Sequence, residues 1–162
     1  MTSPLFFASI FKGRAVRAIA MFLLSIATAR AADFDGDGVA DEYTVTRAAE
    51  KVAKEAGLQL VNPWAKVLKS KKTPKGLGLV IRLTRTRQKF LVHDAEFFDT
   101  PMWTEGKVAP RVITKKDKQY KDWKKQVPAL KADAIVLGTE AGIDILLYWD
   151  GKWELFWPDE EP

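Results

Sequence analysis

Four aspartates set the chemistry open to this chain. Asp33, Asp35, Asp37 and Asp41 fall at positions 1, 3, 5 and 9 of the stretch DFDGDGVADEY, residues 33 to 43. That is the ligand spacing of a calcium loop, and Gly36 and Gly38 let the backbone wrap round an ion. From Asp33 to Glu42 there are five carboxylates and no Lys or Arg. Without a cation these charges repel one another at close range. The expectation is bound Ca2+ in a loop spanning residues 33 to 44.

An EF-hand does not fit, because it needs a bidentate acid at loop position 12 and flanking helices. Position 12 here is Thr44, inside an expected strand. The pattern DxDGDGxxD running into a strand instead resembles the calcium loop of FG-GAP/VCBS-type repeats, the integrin-like β-propeller units. That resemblance covers about a dozen residues. It implies side-chain oxygens from Asp33, Asp35 and Asp37, a backbone carbonyl from Val39, and Asp41 closing the shell. The chain has one such loop and is too short for a full propeller. More loosely, the hairpin IDILLYWDGKWELFW beside a GDG loop is similar to small exported bacterial members of that group. None of these has an activity to transfer.

The segment before the loop reads as a secretory leader. Lys12, Arg14 and Arg17 form a basic start, residues 18–29 (AIAMFLLSIATA) an apolar core, and Ala29-Arg30-Ala31 a small-x-small cleavage site. The apolar run is shorter than the ~20 residues that span a bilayer. Residues 1–31 are therefore expected to be a signal peptide, cut before Ala32, with residues 32–162 forming one domain in the periplasm or outside the cell. No strand is expected ahead of the acidic loop, because the leader ends there. The formal charge of the whole chain is +5. The leader's four basic residues account for most of it, and the mature chain has 22 basic against 21 acidic residues. This balance argues against nucleic acid as a partner. The chain contains no cysteine. A disulfide framework is excluded, and a bound metal remains one way to staple a small exported fold.

Other chemistry is weaker. DxDG followed by Thr is the nucleophile motif of haloacid dehalogenase-type phosphatases, but Asp37 stands where Thr would. His93-Asp94 suggests a metal-dependent hydrolase, yet His93 is the only histidine, and one imidazole cannot build a multi-histidine site. Glu96, Asp99 and Glu105 could supply a carboxylate pair for glycan hydrolysis. Residues 111–131 interleave Tyr120 and Trp123 with lysines. Lys121, Trp123, Lys124 and Lys125 are candidate contacts to an envelope protein or an anionic polymer. The structural alternative is an amphipathic helix with its aromatics toward the core. Arg82, Arg85 and Arg87 form a second basic cluster.

The elements that must position these residues read as an α+β, β-rich fold: a mainly antiparallel sheet, a C-terminal hairpin, and one or two helices. Strands are expected at Tyr43 to Arg47, Leu77 to Thr84, Lys89 to His93, Ala134 to Leu137, Ile143 to Trp149 and Lys152 to Trp157. Helices are expected at Ala48 to Leu58 and Lys115 to Val127, and Phe97 to Pro110 reads as irregular. Asp150-Gly151 signals a two-residue hairpin that pairs Tyr148 with Trp153 and Leu146 with Leu155, all four on one core face. The favoured function is an exported, non-catalytic calcium-binding structural or binding module. The alternatives are a metal-dependent hydrolase acting on a cell-envelope polymer, and an interaction protein using residues 111–131.

Overall fold

The computed structural model describes residues 30–48, 50–66 and 76–158. The leader's basic start and apolar core lie outside the described residues. The elements in chain order are β1 (Arg30–Ala32), β2 (Asp41–Arg47), α1 (Glu50–Glu55), β3 (Gln59–Val61), a 3-10 turn (Pro63–Lys66), β4 (Leu77–Arg82), β5 (Lys89–Val92), α2 (Ala95–Phe98), α3 (Pro101–Thr104), β6 (Arg111–Ile113), α4 (Lys118–Gln126), β7 (Ala134–Gly138), β8 (Asp144–Trp149) and β9 (Trp153–Phe156). The fold is α+β and β-rich. Among the described residues no helix is long and apolar enough to cross a membrane.

Two sheets carry the fold. The first has the order β1-β2-β4-β5-β3 and the second β6-β7-β8-β9. All pairs are antiparallel except β3 with β5. Strand alternation decides what each face meets. Tyr43, Val45, Leu79, Ile81, Phe90 and Val92 point from the first sheet into one cluster with Ile135, Leu137, Ile145, Leu147 and Trp153 of the second. The opposite face of the first sheet is covered by α1, through Ala53 against Leu91 and Val80. The opposite face of the second is covered by α4, where Tyr120, Trp123 and Val127 pack on Val136, Leu146 and Phe156. The layers therefore run helix, sheet, sheet, helix. Gly78 of β4 is what lets the first helix layer close. A Cβ there would stand 3.1 Å from the Val92 carbonyl oxygen and 3.3 Å from the Ala48 Cβ.

Three expectations need correction. The C-terminal hairpin pairs Trp149 with Trp153, Tyr148 with Glu154, Leu147 with Leu155 and Leu146 with Phe156. The connection is thus three residues, Asp150 to Lys152, with Gly151 at φ 74°, a pattern that suits a left-handed residue closing a longer hairpin loop. The shift of one residue sends Leu146 and Tyr148 to the α4 face, while Trp153 and Leu155 stay on the inter-sheet face. Second, part of the segment from Phe97 to Pro110 is helical, in α2 and α3. Four-residue helices are too short to leave a period in the sequence. Third, a strand does precede the acidic loop: β1 pairs Arg30 with Tyr43 and Ala32 with Asp41 on the outer edge of β2. Cleavage before Ala32 would take Arg30 and Ala31 out of that strand.

Candidate metal centre

The acidic loop links β1 to β2, and its aspartates first organise their own backbone. Asp35 Oδ1 accepts from the Asp37 N–H (3.2 Å), Asp37 Oδ1 from the Val39 N–H (2.7 Å), and Asp33 Oδ2 from the Gly38 N–H (3.1 Å). Short polar side chains bonding backbone two residues on are the usual way to hold such a tight path. Gly36 and Gly38 take φ of 78° and 86°. Gly36 also lies against Ala132, where a Cβ would be in ordinary contact at 3.4 Å, so it is the backbone angle that calls for glycine.

These bonds use one oxygen each from Asp33, Asp35 and Asp37. Of the remaining oxygens, Asp33 Oδ1 and Asp37 Oδ2 are buried without a hydrogen-bond partner. Carboxylate oxygens from the three residues all lie within 4.8 Å of one another. Two oxygens on opposite sides of one calcium ion would be about 5 Å apart, given Ca–O distances of ~2.3–2.6 Å. The three side chains are thus gathered closely enough for one hard cation.

Both ends of the loop are fastened to distant chain. At its start, the Asp33 N–H donates to Asp133 Oδ2 (3.1 Å), and the Asp133 N–H donates back to the Asp33 carbonyl (3.0 Å). Asp133 Oδ1 also accepts from the Lys115 N–H at 2.9 Å. At its end, Asp41 is fully buried and accepts from the Phe34 N–H (2.9 Å) and the Thr84 N–H (2.8 Å). The Thr84 hydroxyl donates to the Ala40 carbonyl at 2.7 Å. Asp41 therefore sits apart from the three gathered aspartates, with each of its oxygens on a backbone amide. Val39 is half-buried and contributes its N–H to Asp37.

The electrostatics follow from burial. Desolvation pushes the Asp35 carboxyl above its ordinary range; the charges of Asp37 and Asp33 add to this, and the Asp37 N–H opposes it. Asp41 is also pushed up, first by burial and then by the charges of Asp35 and Asp37, against the amides of Thr84 and Phe34. Two basic side chains answer this field. Arg85 Nε stands 3.3 Å from Asp37 Oδ2, and Lys115 Nζ lies 3.9 Å from where a Gly36 Cβ would be. Thr84, Arg85, Lys115 and Asp133 were not assigned to the loop from the sequence. Each reaches it only through the tertiary fold. Arg85 and Lys115 lay in basic stretches that the sequence singles out, around Arg82 to Arg87 and in residues 111–131, but neither stretch points to the loop.

The other candidates resolve into structural roles. The His93 ring is buried, with Nδ1 2.6 Å from the Leu77 carbonyl, and stacks near Phe98. Asp94 caps α2, accepting from the N–H groups of Glu96 and Phe97 and from Asn62 Nδ2. Glu105 pairs with Lys107 at 2.7 Å. On α4, Trp123 packs edge-on against Phe156. Lys124 Nζ donates to the carbonyls of Pro128 and Leu130, beyond the helix end. Lys125 pairs with Asp122, and Lys121 is exposed. So Trp123 and Lys124 turn toward the fold, while Lys121 and Lys125 face solvent. No family model, curated protein or solved structure matches the chain.

Proposed function

We propose that this chain is an exported, non-catalytic module in which one calcium ion, held by Asp33, Asp35 and Asp37, fastens the start of the domain to the two-sheet sandwich. The observation that carries this reading is the gathered set of three carboxylates, in which Asp33 Oδ1 is buried without a hydrogen-bond partner and Asp37 Oδ2 is buried with only the Arg85 guanidinium beside it, at 3.3 Å. A buried acceptor such as Asp33 Oδ1 without a donor is costly, and a divalent cation would satisfy it together with its neighbours. The resemblance of the loop to FG-GAP/VCBS calcium loops supports the same ion; it implies Val39 and Asp41 as further ligands, but Asp41 has both oxygens on backbone amides and holds the end of the loop instead.

A structural role follows from the connections of the loop. Asp33 is bonded to Asp133 and Asp41 to Thr84. An ion on Asp33, Asp35 and Asp37 would hold together the loop that these bonds fasten to the β4–β5 turn and to the segment entering β7. Removal of the leader would place the module in the periplasm or outside the cell.

The test is thermal unfolding of residues 32–162 in calcium and in excess chelator. Calcium at about 100 times its dissociation constant adds about 2.7 kcal/mol, which would raise the melting temperature by roughly 5–10 °C. Identical melting in both conditions would exclude an ion that supports the fold.

A further inference from the structure

The gathered aspartates leave a calcium ion short of oxygens. Asp33, Asp35 and Asp37 each hold a backbone amide with one oxygen and have one left for the ion. Asp41, the fourth acid of the spacing, has both oxygens on the amides of Phe34 and Thr84. Among the described residues no further acid is gathered with the three. Calcium takes about 6–8 oxygens. Even with the Val39 carbonyl as a fourth ligand, about two or more positions are left for outside oxygens.

Two cationic side chains stand beside the loop. Lys115 is exposed, and its Nζ lies 3.9 Å from where a Gly36 Cβ would be. Arg85 Nε is 3.3 Å from Asp37 Oδ2, on a side chain that is 63% exposed. Asp37 Oδ2 has no hydrogen-bond partner, so only charge holds the guanidinium there, and holds it lightly. That oxygen is also one the ion takes. Calcium on Asp37 therefore removes the attraction that keeps Arg85 in place and frees its donors for another anion.

We propose that the calcium-loaded loop binds a phosphate monoester, which fills the open positions on the ion and is gripped by the released Arg85. This inference rests on the calcium reading above. A guanidinium fork takes two oxygens of one anion, and the ion takes a third. A phosphate monoester carries three free oxygens on one centre, and a carboxylate carries two. Lys115 adds a point charge at Gly36. Calcium and the phosphate then reinforce each other: the ion releases Arg85 to the phosphate, and the phosphate keeps Arg85 off Asp37. By linkage, each raises the affinity of the other by the same factor.

The test is calorimetric titration of calcium into the metal-stripped protein, with and without millimolar glycerol phosphate. Ionic strength is held constant and free calcium is read by electrode. The phosphate is expected to tighten calcium binding by at least about fivefold. Arg85→Gln should bind calcium alone at least as tightly as the parent and lose most of the tightening. A parent that binds calcium with the same affinity in both conditions would overturn the proposal and leave the calcium site standing. Full tightening retained in Arg85→Gln would overturn it equally. A parent that binds no calcium would overturn the calcium reading and this inference with it. Where the tightening is seen, retention on vesicles containing phosphatidic acid, in calcium but not in chelator, assigns the monoester to a lipid headgroup. Tightening without such retention assigns it to a soluble ligand.

Discussion

Asp33 and Asp133 are bonded to one another in both directions. The Asp33 N–H donates to the Asp133 carboxylate, and the Asp133 N–H donates to the Asp33 carbonyl. Asp133 is thus a residue of the acidic loop in all but sequence position. Its second oxygen holds the Lys115 N–H, so one side chain joins β1, the end of β6 and the start of β7. Asp133→Ala is expected to cost about 1–2 kcal/mol, for two backbone donors left without their acceptor. It should also weaken calcium binding, because the first ligand of the loop loses its anchor. Urea unfolding and a calcium titration on the same variant would check both effects.

Arg85 occupies the flank of the proposed ion site, 3.3 Å from Asp37 Oδ2. Its side chain is more than half exposed, so the ion pair adds little to stability. It nevertheless competes with a cation for that oxygen. Arg85→Gln is expected to tighten calcium binding by roughly two- to tenfold, with the metal-free melting temperature almost unchanged. A calcium titration that shows weaker binding would place the guanidinium on the side of the ion rather than against it.

The basic side chains of α4 should separate by role. Lys124 reaches past the helix end to the carbonyls of Pro128 and Leu130, where a cation also suits the helix dipole. Lys124→Ala should cost about 1 kcal/mol. Lys121→Ala, on the exposed side, should stay within about 0.5 kcal/mol of the parent. Chemical denaturation midpoints of the two variants would show the difference.

His93 gives the fold a pH dependence. Burial lowers its pKa below the ordinary 6.5, against the Leu77 carbonyl and the charges of Asp94 and Asp99, which favour the charged form. The unfolded chain therefore binds the proton more readily than the folded one. The stabilisation from a neutral His93 is complete above the ordinary value and is lost as pH falls through it toward the lower folded value. The melting temperature should drop on acidification across this window, and His93→Gln should drop less. Parallel melting curves over the same pH range provide the comparison.

The parts of the fold that were legible in the sequence are those with a long period or a clear stop. The alternation of Leu77, Leu79 and Ile81 located β4 and its buried face. The spacing of Tyr120, Trp123 and Val127 located α4 and the side it buries. The hairpin register was not legible, because Asp-Gly serves both two- and three-residue loops. The choice falls to packing, which places both Trp149 and Trp153 against the first sheet. The runs AIVL and ILLYW held a further signal. Strands apolar at successive positions are buried on both faces, and β7 and β8 do lie between the other sheet and α4.

The acidic loop shows the same division. The gathering of Asp33, Asp35 and Asp37 follows from their spacing and from the glycines between them. The hold on Asp41 by Thr84 and the bond of Asp33 to Asp133 depend on residues more than 40 positions away, and no local pattern announces such pairs.

The most direct test of the central claim is a calorimetric titration of calcium into the metal-stripped protein, repeated on Asp37→Ala. The account predicts one ion per chain and a loss of most of that affinity in the variant, which removes a charge and a hard oxygen. No heat of binding, or binding that Asp37→Ala leaves unchanged, would contradict it.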